Sequence, residues 1–276
     1  MKRTLALAMI LGIAAWSALA AAGAGGPSPG LSFGSSGVAD RSGTVRYVTL
    51  PAGHGTVVEA VDVTSGQVLR WRYLAGTYGV PAVAWDGSTG GLSAQGQRLV
   101  LSSWPGYAKH GVTRFVVLDP KTLKVRRQLL LHGGFAFDAL SPTGSVMYLI
   151  QFLGSPSSGR YAVRALNVSA GRLYPGAIVD RREPDEKMTG NPVTRTGNGR
   201  GSWAYTLYSR GSEVPFVHAL DTVHRRAFCI DLRVKGWSSW IGDARMRLSA
   251  DGKTLMLRYE GETVARVDTK TLKVSG

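Results

Sequence analysis

The chain of 276 residues contains one cysteine, Cys229. A single thiol excludes an internal disulfide framework, so the stability of the fold must come from a packed core. Cys229 lies in the apolar-rich segment "RRAFCIDL", which predicts a strand with a buried, unreactive thiol. A reactive or intermolecular thiol is the alternative.

Long apolar runs are also absent, apart from one at the N-terminus. Lys2 and Arg3 precede an apolar run over residues 5–15, and residues 18–20 read Ala-Leu-Ala, an A-x-A cleavage pattern. This pattern predicts a signal peptide over residues 1–20, because the run is short for a retained membrane anchor of roughly 20 residues. Residues 21–37 are rich in Gly, Ser, Pro and Ala, as is typical of a flexible linker. We therefore expect a secreted protein, extracellular or associated with the cell envelope, with no transmembrane span after cleavage and a single domain over residues 38–276.

Acidic residues are few: 18 Asp and Glu stand against 33 Lys and Arg, which gives a net charge of +15. Removal of the signal peptide takes Lys2 and Arg3 and leaves 31 basic against 18 acidic residues, a net charge of +13. Such an excess favours anionic surroundings, among them cell-wall polymers, lipid head groups and acidic glycans. Nucleic acid is disfavoured as a partner, because secretion separates the protein from most of it.

No stretch has a sustained 3.6-residue period, and the chain instead repeats itself. Segments 92–131 and 248–276 both contain an "LSA-x-G" turn, an apolar strand, and then "DPKTLKV" or "DTKTLKV". The same frame fits three further segments, which begin at residues 38, 140 and 195. Each unit reads as four short strands, a to d, and four-stranded units of about 50 residues are typical of β-propeller blades. We predict an all-β propeller with five blades, six or seven being the alternatives, whose last blade closes the ring against the first.

Two turns mark each unit. We predict glycines in the five a–b turns, where a tight turn or a positive φ is needed: Gly43, Gly96, Gly144, Gly199 and Gly252. The c–d turns begin with a residue whose side chain can bond the following backbone: Asp62, Asp119, Asn167, Asp221 and Asp268.

The final unit resembles the YVTN-type repeat of secreted bacterial propellers. In that family an "S-x-D-G-x-x-L" turn and strand precede "V-x-x-x-D-x-x-T-x-x-V", as they do over residues 248–274 and, less closely, over 92–125. The tetrapeptide that names the family is absent, since "MLRY" stands at 256–259 and "VLSS" at 100–103. The resemblance implies a lactonase-like propeller, usually of seven blades, an architecture that serves both binding proteins and enzymes.

Aromatic and histidine side chains collect in the b–c and d–a connections, which lie on one face of a propeller around its channel. We predict that a ligand contacts this group: His54, Trp85, Trp104, Tyr107, His110, His132, Trp237 and Trp240. Aromatic faces stack on sugar rings or bases, and nearby polar groups fix the orientation. The alternative for each tryptophan is a structural role in capping the core. Three of the histidines could bind zinc, but their spacing does not require it, so we predict neither a metal site nor a cofactor.

Familiar catalytic motifs are missing, including G-x-S-x-G, H-E-x-x-H and the P-loop. We therefore favour a monomeric, non-enzymatic module that binds a glycan, a peptide or another envelope protein. The alternative is an enzyme, a lyase or lactone hydrolase, with its site in the central channel, where Asp86 and Asp243 could serve as acid and base. Basic residues on the predicted d strands have two interpretations. They guard blade edges against association, which we favour, or they form a belt that docks on an anionic surface.

Overall fold

The computed structural model describes residues 36–103, 111–154, 159–185 and 188–276. Its strands form five four-stranded sheets, and within each sheet neighbouring strands follow one another in the chain and run antiparallel. The strands are, in blade 1, β1 (Val38–Ala39), β2 (Val45–Ala52), β3 (Gly55–Asp62) and β4 (Val68–Ala75); in blade 2, β5 (Tyr78–Gly79), β6 (Leu99–Ser103), β7 (Val112–Leu118) and β8 (Val125–His132); in blade 3, β9 (Phe135–Leu140), β10 (Val146–Phe152), β11 (Tyr161–Asn167) and β12 (Arg172–Leu173); in blade 4, β13 (Asn191–Gly197), β14 (Trp203–Arg210), β15 (Glu213–Asp221) and β16 (Arg226–Asp231); and in blade 5, β17 (Arg245–Leu248), β18 (Thr254–Tyr259), β19 (Glu262–Asp268) and β20 (Val274–Ser275). The predicted set of five four-stranded units is confirmed.

The a–b turns share one construction. In blade 2, the Ser93 hydroxyl accepts the amide N–H groups of Gln97 and Arg98, and Gly96 has a φ of 62°. Gly43, Gly144 and Gly252 stand at the same place with φ near 74°. The predicted register is wrong by two residues in blade 4 alone. There the acceptor is Asn198, so the positive φ falls three residues later, on Gly201 at 70°, and not on Gly199.

The c–d turns follow the prediction closely. In blade 2, Asp119 Oδ1 accepts the amide N–H groups of Lys121 and Thr122 at 2.9 and 3.1 Å. The hydrogen bond from the Arg126 guanidinium lowers the pKa of Asp119, and the turn amides add to that effect against the opposing effect of burial. Leu123, four residues after the aspartate, has a φ of 54° and donates its N–H to the Asp119 carbonyl at 2.7 Å. Side-chain capping thus holds even a leucine in a region that L-residues avoid.

Four buried clusters fill the spaces between successive blades. The cluster between blades 1 and 2 contains Val58, Leu101 and Val116, all fully buried. Similar clusters join blade 2 to 3, blade 3 to 4, and blade 4 to 5. Among the described residues, no buried cluster joins blade 5 to blade 1, so the structure does not show the tight ring closure that the repeat predicted.

Basic residues of two outer strands reach across these interfaces. Arg70 Nε donates to the Pro120 carbonyl at 3.3 Å, and Arg127 Nη2 donates to the Ala170 carbonyl at 3.1 Å. Each bond joins strand d of one blade to the c–d turn of the next. Part of the positive charge therefore has a structural use within the fold.

Cys229 is buried in β16, as its sequence context predicted. Its amide N–H donates to Asp180 at 2.8 Å, and its sulfur lies 3.9 Å from that of Met188. Within the described ranges, no helix has the length and apolar character that a membrane span requires.

Candidate functional site

The first candidate is the region between the innermost strands, which a hairpin of the protein itself crosses. Residues 76–91 follow strand d of blade 1, where the repeat predicts a d–a connection. In the structure, strand a of blade 2 begins there as β5 and is then interrupted by a hairpin over residues 80–91, within which Ala82 pairs with Thr89. The strand resumes where Leu92 pairs with Leu99. The hairpin is therefore an insertion into the innermost strand.

The hairpin tip crosses to blade 4. The amide N–H groups of Trp85 and Asp86 donate to the Pro192 and Val193 carbonyls at 3.0 and 3.1 Å. The Thr194 hydroxyl donates to Asp86 Oδ2 at 2.6 Å. Asp86, considered from the sequence as a catalytic acid or base, is thus held by blade 4.

A pocket of about 320 Å³ lies between the hairpin, β9 and β13. Its charged groups are Asp138 and Arg195, whose Oδ1 and Nη1 atoms are 2.7 Å apart. Their side chains are only 5 % and 10 % exposed. Sequence reasoning missed this pair, although each residue is a lone charge within an otherwise uncharged strand, "FAFDAL" and "NPVTRTG". A buried carboxylate that is already paired is first of all a structural group.

The predicted ligand residues are dispersed. His54 is exposed in the b–c turn of blade 1, His132 is exposed at the end of β8, and Trp85 is half-buried at the hairpin tip. Trp104, Tyr107 and His110 lie outside the described residues. In the part of the chain that the structure describes, no group of three His, Cys, Asp or Glu side chains is placed to hold a metal ion.

The two tryptophans near blade 5 differ from each other. Trp240 is 6 % exposed and belongs to the core between blades 4 and 5. Trp237, at the start of a 3₁₀ turn over Trp237–Ser239, is half-buried against the same core. Ser238 and Ser239 between them are exposed.

The second candidate begins on the face of blade 1 that points away from blade 2. Two cross-strand rows lie on it, Val48–Glu59–Trp71 and Leu50–Val57–Tyr73. Trp71 is 65 % exposed, Tyr73 49 % and Leu50 47 %. Equivalent positions between blades are fully buried, as Val116 and Leu118 are. The described residues therefore leave an apolar sheet face uncovered.

Blade 5 has the opposite character on the face that points away from blade 4. Its rows are Arg247–Met256–Arg266 and Arg245–Arg258. Three of these arginines are exposed and Arg258 is half-buried. Within the described ranges, none of the four forms a salt bridge. We call the uncovered faces of blades 1 and 5, together with the space between them, the seam.

A cavity of about 790 Å³ lies among the turns of blades 1, 4 and 5, beside the seam. Blade 1 contributes Arg41, and blade 5 contributes the turn residues Ser249–Gly252 and Lys270. Burial raises the pKa of Tyr205 in the cavity wall to about 12, so its phenol stays protonated. The hydrogen bond from the Ser249 hydroxyl lowers the pKa of Asp251, which keeps that carboxylate charged. The cavity brings Arg41, in the a–b turn of blade 1, beside turn residues of blades 4 and 5.

No protein-family model matches the chain, and no curated protein matches it significantly. Solved structures that it resembles include the β-propeller domain of Cps50 (Swd1) from Myceliophteria thermophila, at 12 % sequence identity with a TM-score of 0.51, covering 89 % of this chain and 69 % of that one. Another is the dihydro-heme d1 dehydrogenase NirN, at 12 % identity with a TM-score of 0.50, covering 87 % of this chain and 44 % of that one. At such low identity the likeness shows the fold alone: this chain is a β-propeller.

Proposed function

We propose that this propeller is an exported, non-enzymatic binding module of the cell envelope, and that it engages its partner through the seam. The observation that carries the proposal is the apolar face of blade 1, where Trp71, Tyr73 and Leu50 are about half exposed or more. Contiguous exposed apolar patches on soluble proteins mark interaction sites. Tyrosine and tryptophan are also the residues that contribute most often to binding energy at interfaces.

The channel gives less support to the enzyme alternative. The hairpin crosses from blade 2 to blade 4, Asp86 is held by Thr194, and Asp138 is paired with Arg195. A general acid or base must instead reach a substrate with a proton to give or take. The resemblance of residues 248–274 to YVTN-type repeats supports export, because those repeats occur in secreted bacterial proteins.

Binding to isolated envelope material tests the proposal. Mature protein, beginning near Ala21, is incubated with envelope fragments and sedimented. The double variant Trp71→Ser/Tyr73→Ser removes two aromatic side chains from the seam. The matched control, Leu130→Ser/Val223→Ser, removes two residues of similar exposure, 52 % and 51 %, elsewhere on the surface.

We expect the wild type and the control to bind alike, and the seam variant to bind at least tenfold more weakly, since each aromatic buries a large apolar area. Equal binding by all three proteins would show that the envelope-binding site lies outside the seam. Absence of binding, with the protein retained in the cytoplasm and Met1 intact, would refute the function.

A further inference from the structure

The arginines of blade 5 lie in an unusual place. Charged side chains on outer strands protect a sheet edge from pairing with another chain. Arg258 and Arg266, however, lie on β18 and β19, the two central strands of the sheet, and Arg247 lies beside them on β17. Edge protection does not explain them, and a dry interface between blades would not accept them.

Two of the arginines oppose each other directly. Arg245 and Arg258 are cross-strand partners, and like charges in such pairs are destabilising. Arg258 Nη2 donates to the Gly261 carbonyl, and Arg245 Nη1 donates to the Asp243 and Ala244 carbonyls. These bonds satisfy some donors but neutralise no charge. An anionic partner would remove the repulsion.

The opposite wall of the seam is mostly apolar, with the half-buried Glu59 in one of its two rows. Val48, Leu50, Val57, Trp71 and Tyr73 form an aliphatic and aromatic sheet face of the kind that elsewhere in this protein packs against another sheet. Sugars stack on aromatic rings, but aliphatic residues in ordered rows match the side chains of a polypeptide.

Resting on the proposed function, we infer that the seam receives an acidic polypeptide segment of another protein, in extended conformation. Side chains of an extended strand point alternately to opposite faces. One set would meet the arginines of blade 5, and the other would pack on Trp71 and its neighbours. A second copy of this chain is a poor occupant, because the net charge without residues 1–20 is +13 and the two copies would repel each other.

A synthetic strand tests the inference. The probe is a twelve-residue peptide of alternating Glu and Val, and the comparison peptide alternates Lys and Val. Fluorescence anisotropy with the mature protein should give at least tenfold tighter binding of the Glu–Val peptide, because arginines reject a like charge. Affinity should fall as salt is raised above about 0.1 M, where exposed charges are screened over ~10 Å.

Two pairs of variants locate the site. Arg247→Ser/Arg266→Ser should weaken Glu–Val binding at least tenfold, whereas the control Arg114→Ser/Arg172→Ser, which changes exposed arginines of blades 2 and 3, should leave it unchanged. Trp71→Ser should weaken binding similarly, and Leu130→Ser should not. All these side chains are exposed, so the variants should keep the wild-type melting temperature, which checks that they fold.

Other occupants give other results. Equal affinity for polyglutamate or dextran sulfate, with no effect of Trp71→Ser, would show a surface for any polyanion and overturn the inference. A dimer in sedimentation that Trp71→Ser converts to a monomer would assign the seam to a second copy. If a protein that begins at Ser36 binds the peptide more tightly, residues 21–35 compete for the seam. The seam would then be assigned to that segment of the same chain.

The inference and the proposed function can fail separately. Envelope binding that survives every seam substitution would refute this inference and leave the function on another surface. If peptide binding depends on Arg266 and Trp71 but the protein does not bind envelope material, the seam is a peptide site. The proposed location at the cell envelope would then be refuted.

Discussion

Replacement of Arg195 by methionine should destabilise the protein strongly. The guanidinium is paired with Asp138 at 2.7 Å, and both side chains are at least nine-tenths buried. Removing one partner leaves an uncompensated buried charge, which costs about 3–5 kcal/mol. For a domain of this size, about 1 kcal/mol corresponds to roughly 2–4 °C in melting temperature, so Arg195→Met should melt about 6–20 °C below the wild type.

A double-mutant cycle separates this effect from ordinary loss of packing. Asp138→Leu/Arg195→Met removes both charges and should recover most of the loss, since replacement of a whole buried pair is often close to neutral. The control Arg126→Met breaks the exposed ion pair with Asp119 and should cost less than about 1 kcal/mol. The single variant Asp138→Leu completes the cycle, and unfolding by heat and by urea measures all four variants.

The reasoning would be refuted if Arg195→Met cost no more than the control, or if the double variant were no more stable than the single one. Asp138 would then be a carboxylate that the fold does not require. The enzyme alternative, with a site in the channel, would gain from that result.

Three further predictions follow from the fold. Gly201→Ala should cost at least about 1–2 kcal/mol in urea unfolding, because φ is 70° and a Cβ would lie 2.6 Å from that of Ala94, whereas Gly199→Ala should be close to neutral. Tyr148→Phe should lower the melting temperature by several degrees, because the buried hydroxyl donates to the Thr222 carbonyl at 2.8 Å and an unsatisfied carbonyl costs about 1–3 kcal/mol. Burial opposes ionisation of Asp180, but hydrogen bonds from the Arg182 guanidinium and neighbouring amides outweigh burial and lower the pKa of Asp180. The wild type should therefore exceed Asp180→Asn in stability by the full amount above about pH 4. In acid-unfolding titrations this difference should vanish as the pH falls through the lowered pKa.

Sequence reasoning found the blades because their turns are local. Asp119 and Asp268 cap their own turns through bonds to residues two and three positions away, so the signal is contained in one heptapeptide. The blade 4 turn was misplaced because "GNGRG" offers several glycines, and the deciding signal is the Asn198 acceptor three residues before Gly201. Counting three residues on from the side-chain acceptor identifies Gly201 as the turn glycine of blade 4.

The hairpin and the buried pair depend on distant parts of the chain. The hairpin tip at Trp85 bonds Pro192, more than a hundred residues away, and nothing in residues 80–91 indicates that partner. Asp138 and Arg195 come from different blades, so their pairing needs the assembled propeller.

The residues of the seam, by contrast, form a recognisable pattern in the sequence. On the outer strand β4, "LRWRYL" alternates Trp71 and Tyr73 of the seam with arginines on the face toward blade 2. On β17, "RMRL" places two arginines on the seam face. Period-two charge on an inner strand predicts a sheet face that no neighbouring blade covers. On outer strands the same pattern is explained by edge protection, so only central strands distinguish an uncovered face.

Thiol labelling tests most directly whether blades 1 and 5 leave the seam uncovered. The only native thiol, Cys229, is buried, so single cysteines can be introduced and followed with a thiol reagent under native conditions. Val57→Cys and Met256→Cys report on the seam, and their strand neighbours Val58→Cys and Leu257→Cys, both at fully buried positions, are the controls. The account predicts that the seam cysteines react at least ~100-fold faster than the control cysteines. The control thiols are buried and can react only after local opening of the structure. Equal protection of all four would contradict it, because blade 1 and blade 5 would then be packed against a covering element and the propeller would present no open seam.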